Sequence, residues 1–245
     1  MIGSRWGIVK TSVAGDFASD LAIVREHTML SRKRLYSLYE CVLACEKHDI
    51  PGDYVECGVW KGGAVGLMAL ANLRYGKVRR QLHLFDTFAG IPEPDGEVDG
   101  QRAVEEARQH GVAALGRLTP NPELYDNMGR GVGTVETNRQ LLEQIIGYDG
   151  ASVHYHQGLF QKTLPAVAPT IDSVAILRLD GDWYASTKVC LQFLYDKVAR
   201  GGFVIIDDYG AYEGCKKAVD EFLAGRKIAI RLRRVGSELR FFQKP

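Results

Sequence analysis

The chain has 245 residues, 46% of them hydrophobic and 25% charged, with a formal net charge of +1. This is the profile of a soluble globular protein, at a length that one α/β domain with insertions can fill. The near-neutral balance offers no electrostatic footprint for nucleic acid or a membrane surface, and no apolar run approaches the ~20 residues that span a bilayer.

The first residues lack a basic start followed by an apolar run, so no signal peptide is expected. Residues 1–20 read as an irregular, mobile arm. Over 21–47 the apolar residues Leu30, Leu35, Leu38, Val42 and Cys45 recur at helical spacing, which predicts one or two helices before the main fold. A β/α alternation then begins. Residues 53–57 read as a strand ending in Gly58, 63–74 as a helix carrying Val65, Leu67, Met68, Leu70 and Leu73, and 81–86 as a second strand. Glycine, proline and acidic residues break the rhythm over 87–132, an insertion or lid. Residues 134–146 predict a helix with Thr134 as N-cap and Glu136 in its first turn.

A strand at 152–156 and a loop at 157–165 follow. Residues 173–180 predict a strand, 186–199 a helix, and 203–207 a nearly all-apolar strand of the kind that sits centrally in a parallel sheet. A helix at 214–224 and two strands, 228–233 and 239–243, close the chain. Such alternation predicts a mostly parallel sheet with helices on both faces, ending in an antiparallel pair. Ligands then belong beyond the carboxyl ends of the strands.

Cys41, Cys45, Cys57, Cys190 and Cys215 form no Cys-x-x-Cys pair and lie in apolar segments. They read as buried thiols of a reducing compartment, hence a cytoplasmic protein. The basic run Arg231 to Arg234 reads as a solvated strand face rather than a phosphate site.

Chemistry gathers at four strand ends. The first strand closes with Glu56-Cys57-Gly58-Val59-Trp60-Lys61-Gly62-Gly63. Gly58 and Gly62 allow a sharp turn and close approach of a ligand to backbone. The spacing is not Gly-x-Gly-x-x-Gly, which disfavours a nicotinamide dinucleotide. An acid ahead of the first glycine suits an ammonium-bearing ligand and would repel a pyrophosphate. Asp86, at the tip of the second strand, is placed to accept from paired ribose hydroxyls, or else to cap its own turn. Together Glu56 and Asp86 point to a nucleoside-containing cofactor.

Asp180 and Asp182 follow one strand, and Asp207 and Asp208 end the next. Neighbouring strands lie ~4.8 Å apart, so their terminal carboxylates would crowd together if the two strands pair. Each carboxylate pair ~4 Å apart costs roughly 4 kcal/mol at an effective dielectric of 20. A bound Mg²⁺ or Mn²⁺ would remove that penalty. Turn capping by Asp-Gly-Asp and Asp-Asp-Tyr-Gly is the competing reading. With a metal on the acceptor oxygen, Asp180 is the best placed base. His154 and His156 are rivals for the chemistry, but on a strand they read more simply as a polar face.

The strings Tyr54-Val55-Glu56-Cys57-Gly58-Val59-Trp60-Lys61-Gly62-Gly63, Phe85-Asp86-Thr87-Phe88-Ala89-Gly90-Ile91-Pro92, Gln157-Gly158-Leu159-Phe160-Gln161-Lys162-Thr163-Leu164-Pro165, Leu177-Arg178-Leu179-Asp180-Gly181-Asp182-Trp183-Tyr184 and Gly201-Gly202-Phe203-Val204-Ile205-Ile206-Asp207-Asp208-Tyr209-Gly210 run in order over about residues 25–225. Here the chain resembles the TylF, or macrocin, O-methyltransferase family. The resemblance implies a Rossmann-like class I methyltransferase fold with a seven-stranded, mostly parallel sheet. It also implies S-adenosylmethionine and Mg²⁺, and a small-molecule hydroxyl acceptor, commonly a sugar of a natural product. It assigns Glu56 and Gly58 to the methionine side of the cofactor, Asp86 to its ribose, and Gly158 and Phe160 to its adenine, with Gly62 also cofactor-binding. Asp180, Asp207 and Asp208 would surround the metal, with Asp180 also the base. Asp182, Trp183 and Tyr184 would face substrate or support the metal residues.

Residues around His27-Thr28-Met29 resemble the family's lid, so 1–50 are expected as arm and lid helices, 51–245 as the methyltransferase domain, and 87–133 as its insertion. A homo-oligomer is implied, with neither nucleic acid nor membrane as partner. Lys61 stands where the family carries arginine, and Glu105-Glu106-Ala107-Arg108 and Met128-Gly129-Arg130-Gly131 follow no family pattern. The change at Lys61, with Cys57 in place of the family's threonine, is tolerable at the cofactor turn, whereas the 95–133 region would face the acceptor. Two other readings stay open: a metal-independent methyltransferase of the same fold, and a non-catalytic cofactor-binding protein.

Overall fold

The computed structural model describes residues 10–245. Two helices lead, α1 (Lys10–Val24) and α2 (Arg32–Lys47), separated by a 3-10 turn at Arg25–His27. The Ser31 hydroxyl caps α2 by accepting from the Arg34 N–H, and the helix buries Leu35, Leu38, Tyr39, Val42 and Cys45 along one stripe. There follow β1 (Asp53–Cys57), α3 (Gly63–Tyr75) and β2 (Leu82–Asp86). The insertion carries α4 (Gln101–Gln109) and α5 (Glu123–Asn127), and α6 (Val135–Arg139) runs into a π-helical stretch at Gln140–Ile145. Then come β3 (Val153–Gln157), α7 (Phe160–Val167), β4 (Val174–Leu179), α8 (Tyr184–Leu194), β5 (Val198–Ile206) and α9 (Glu213–Gly225). The strands β6 (Arg233–Val235) and β7 (Leu239–Gln243) end the chain.

Among the described residues the strands form one seven-stranded sheet, ordered β3-β2-β1-β4-β5-β7-β6. All pairings from β3 to β5 are parallel, while β7 runs antiparallel to both β5 and β6. Side chains alternate across the sheet as a period of two requires. Tyr54 and Leu84 face one core with Leu35, Tyr39 and Met68, and Val55 and Phe85 face the other with Leu177, Leu191 and Val219. Helices therefore cover both faces, and β4 is buried at every position. The class I methyltransferase architecture expected from the sequence is the one observed. The order of strands reverses between β1 and β4, so the ends of these two strands frame the crevice where ligands bind in such sheets.

Local structure departs from expectation in several places. The irregular arm expected over 1–20 is helical from Lys10; residues 1–9 lie outside the described residues. The helix is held by Phe17 and Val24 in the core and by buried Asp20, which accepts from the Tyr39 hydroxyl at 2.8 Å and pairs with Arg74 at 2.6 Å. An acid on the inner face disguised that helix as irregular chain. The expected loop at 157–165 gives way to α7 from Phe160 onward. The helix expected to reach 199 stops at Leu194, and β5 starts at Val198, because Gly201 and Gly202 stay within the strand. Only Arg233–Val235 of the last predicted strands is shifted, forming later than 228–233. Thr134 caps as predicted, its hydroxyl accepting from Thr137 N–H at 3.1 Å. No described helix is long and apolar enough to cross a membrane.

Candidate active site

Strand register builds the acidic cluster. Leu179 of β4 lies opposite Ile206 of β5, so the next residues, Asp180 and Asp207, emerge side by side. The Asp207 N–H donates to Leu179 O at 2.9 Å, and the Asp180 N–H donates to Cys57 O at 2.8 Å, which extends both ladders one step beyond the strands. Oxygens of Asp180, Asp207 and Asp208 all lie within 4.8 Å of one another. Burial, then Asp180, pushes the Asp207 carboxyl up to about 6, against the pull of Arg178 and Arg34. Burial and the facing Asp182, Asp180 and Asp207 raise Asp208 well above the carboxylate range. These are groups crowded beyond what their surroundings neutralise.

Two arginines oppose them. Arg34 of α2 donates to Asp207 Oδ2 at 2.9 Å, and its other amino group pairs with Glu238. Arg178, inside β4 and 1% exposed, donates to Asp180 Oδ2 at 2.9 Å and to Glu56 Oε1 at 2.5 Å. Its Nη2 lies 3.4 Å from Asp207 Oδ1, an ionic contact without hydrogen-bond geometry, and both atoms are buried without a hydrogen bond. The donor set fits a hard divalent cation, since it is all oxygen and includes Asp207 Oδ1, buried without a hydrogen bond.

Asp182 takes a left-handed backbone (φ +58), and its N–H donates to Asp208 Oδ2 at 3.1 Å. Trp183 is buried and its indole N–H donates to Pro92 O at 2.9 Å, tying the insertion to the strand end. Trp183 and Tyr184 both line the cleft beside the cluster; the Tyr184 hydroxyl donates to Glu221 on α9, while its N–H is held by Asp99 at 2.7 Å.

The glycine-rich turn lies across the strand-order reversal. Gly58 has φ +87, and a Cβ there would stand 1.8 Å from Asp180 O, so only glycine allows the ends of β1 and β4 to meet. Gly62 (φ +85) precedes α3, where a Cβ would strike Asn138 Oδ1 at 2.3 Å. Glu56 is 1% exposed, Oε2 is buried without a partner, and burial opposed by Arg178 lifts the carboxyl to about 8. Asp86 accepts from the backbone N–H groups of Val59 (2.6 Å), Trp60 (3.1 Å) and Phe88 (2.8 Å). It therefore caps both its own turn and the glycine-rich turn, the simpler role that its sequence context allowed, and it also lines the cleft.

That cleft holds about 870 Å³ of empty space, mouth included. Gly58, Asp86, Phe160, Asp180 and Asp182 all line it. Gly158 (φ +139) follows β3 and donates to Asp86 O at 2.9 Å, which aligns the third strand end with the other two. The structure thus brings Gly58, Asp86, Phe160, Asp180 and Asp182 to one crevice, with Asp207 and Asp208 beside Asp180 and Glu56 joined to it through Arg178. His154 and His156 lie elsewhere, stacked beside His83 on β2 and β3.

Three site residues escaped the sequence reading. Arg178 was signalled only by a charge inside an apolar strand. Arg34 lies 173 residues from its partner Asp207. Tyr125, on the insertion, lines the cleft with no local signal at all.

The sequence matches the profile of the Macrocin-O-methyltransferase (TylF) family over residues 15–127 and 134–244. It is 40% identical over 209 residues to the demethyldecarbamoylnovobiocin O-methyltransferase of Streptomyces niveus, covering 84% of this chain and 71% of the relative. It is 34% identical over 197 residues to the mycinamicin III 3''-O-methyltransferase of Micromonospora griseorubida, covering 80% and 70%. Among solved structures, the O-methyltransferase NovP superposes with a TM-score of 0.67 at 36% identity, covering 89% of this chain and 82% of that one. The calicheamicin methyltransferase CalS11 shares the fold, with a TM-score of 0.58 at 18% identity and coverage of 96% and 94%.

Proposed function

Because the chain belongs to the macrocin O-methyltransferase (TylF) family, and is thus an O-methyltransferase, we propose that it transfers the methyl group of S-adenosylmethionine to a hydroxyl of a small glycosylated natural product, with Mg²⁺ or Mn²⁺ held by Asp180, Asp207 and Asp208. The observation that carries this reading is the convergence of those three carboxylates within 4.8 Å at two adjacent strand ends, beside a cleft lined by Gly58, Asp86 and Phe160. The acceptor class is supported by a relative from Streptomyces olivaceus, 36% identical over 199 residues, whose name specifies the 4'-O-methylation of a rhamnosyl tetracenomycin.

A divalent cation bound there would lower the pKa of an acceptor hydroxyl and stabilise the developing negative charge. The chain's own residues do the rest. Arg178 fixes one oxygen of Asp180, and Arg34 fixes one of Asp207, so neither carboxylate is free to rotate away. Asp180 takes the hydroxyl proton as the oxygen bonds to the methyl carbon. The carbon–sulfur bond breaks with its electron pair going to sulfur, leaving S-adenosylhomocysteine. Such catalysis is orientation plus proton transfer, with no covalent enzyme intermediate.

One observation favours a metal-independent variant: two guanidinium groups already oppose the acidic cluster. Chelation separates the two readings. The metal mechanism expects dialysis against a chelator to abolish methyl transfer and added Mg²⁺ to restore it, and Asp207→Asn to lower the rate at least a hundredfold. Transfer that survives chelator and Asp207→Asn alike would remove the metal and leave the methyltransferase.

A further inference from the structure

The last part of the insertion is pinned to the glycine-rich turn through Trp60. The Trp60 indole N–H donates to Gly131 O at 2.9 Å, and the Asn138 side-chain amide donates to Trp60 O at 2.7 Å. At Gly133 a Cβ would lie 1.9 Å from Trp60 O, so the backbones touch there and only glycine fits. Trp60 belongs to the turn itself, because its N–H is held by Asp86 at 3.1 Å. The segment and the turn therefore share an anchor.

From that anchor the chain folds back on α5, where Tyr125 O accepts from Arg130 N–H at 2.9 Å and Gly131 N–H at 3.3 Å. The Tyr125 ring centroid lies 6.4 Å from that of Trp60, tilted by 36°. Tyr125 lines the same cleft as Gly58, Asp86, Asp180 and Asp182. Among the described residues its hydroxyl has no hydrogen-bond partner. A phenol keeps its proton at neutral pH, so the hydroxyl has a hydrogen to donate, and among the described residues no protein acceptor takes it. A donor facing a carboxylate-rich cleft, without a protein acceptor, is matched to a ligand that brings its own oxygens.

We propose that Tyr125 is a cofactor-binding residue whose hydroxyl donates a hydrogen bond to an oxygen of S-adenosylmethionine in the cleft, carried there by a strap, residues 125–133, anchored on Trp60. This deepens the proposed function and rests on its reading of the cleft as the cofactor site. The donor has two suitable classes of acceptor on that ligand, the methionine carboxylate and the ribose hydroxyls. Tyr125→Phe keeps the ring against Trp60 and removes only the donor.

Calorimetric titration with S-adenosylhomocysteine tests it without any methyl acceptor. Tyr125→Phe is expected to raise the Kd about threefold to tenfold, the range for loss of one net hydrogen bond, with an unchanged unfolding midpoint of the free protein. Tyr36→Phe, which removes a half-exposed phenol on α2, controls for the substitution itself and is expected to leave the Kd as it is. If Tyr125→Phe binds like the unmodified protein, the strap has no such donor and the inference falls while the methyltransferase reading stands. Absence of binding by the unmodified protein would overturn both.

Discussion

Arg178 faces three acidic side chains from within the sheet. It is fully buried in β4 and touches Glu56, Asp180 and Asp207. A buried charge is costly unless paired, and removing one member of such a set leaves the others uncompensated. Arg178→Leu is therefore expected to lower the unfolding free energy by about 3–5 kcal/mol, measured by urea denaturation at neutral pH. Adding Glu56→Leu should return part of that loss, because the orphaned acid goes with it. A single variant as stable as the parent would mean that the network is solvated in a way the geometry does not suggest. At the same scale, Asp86 is already committed to the backbone. Its three backbone acceptor bonds hold the turn around Val59 and Trp60, so any ribose bond must come from the lone pairs that remain. Glu56 differs from both: its Oε2 is buried without a hydrogen bond, one oxygen away from Arg178.

Elements show a different liability in β2 and β3. Their register sets His83 opposite His154, and His83 Nδ1 stands 3.1 Å from His156 Nε2, while its other nitrogen is 3.2 Å from Asp53. Burial first, and then the neighbouring histidines, depress His156 to about 4, and His154 is lowered for the same reasons. A histidine with a depressed folded pKa binds fewer protons folded than unfolded, so its contribution is present above the unfolded value near 6.5. That contribution is lost as pH falls from about 6.5 toward about 4. Unfolding midpoints measured across this window should decline, and His156→Gln should flatten the decline. An equally steep profile in the variant would assign the acid sensitivity elsewhere. Near the N-terminus, α1 was hidden from periodicity because its inner face mixes Phe17 and Val24 with Asp20, an acid made tolerable by Tyr39 and Arg74. Those partners lie 19 and 54 residues along the chain, beyond any local pattern.

For the whole molecule, ligand occupancy and folding are linked. The cleft is made from the ends of β1, β2, β3 and β4 together with the insertion, so a ligand filling it requires the folded chain. S-adenosylhomocysteine at a hundred times its Kd is expected to add about 2.7 kcal/mol to stability. For a chain of this size that corresponds to a rise in Tm of roughly 5–10 °C. A thermal melt that does not move at saturating ligand would contradict the cofactor reading. Mg²⁺ should add a further, chelator-reversible rise if the three aspartates hold it, and Asp207→Asn should remove only that second increment.

Much of this was legible along the chain. Alternating apolar periods of two and 3.6 residues determined a parallel α/β sheet, and glycines at 58 and 62 marked a turn that no other residue could make. Aspartates at successive strand ends identified which acids could cluster, since strand termini in such a sheet share one edge. What remained undetermined was every relation that depends on register or on packing between distant segments. Whether Asp180 meets Asp207 depends on Leu179 lying opposite Ile206, and a slip of one residue would have turned the side chains to opposite faces. Arg34 reaches Asp207 across 173 residues, and Tyr125 lines the cleft from an insertion whose later part bonds to Trp60. Local sequence governs backbone period and turn geometry because those arise from interactions among near neighbours. The charges that surround a buried acid come from residues far apart in the chain, so only the tertiary structure decided them.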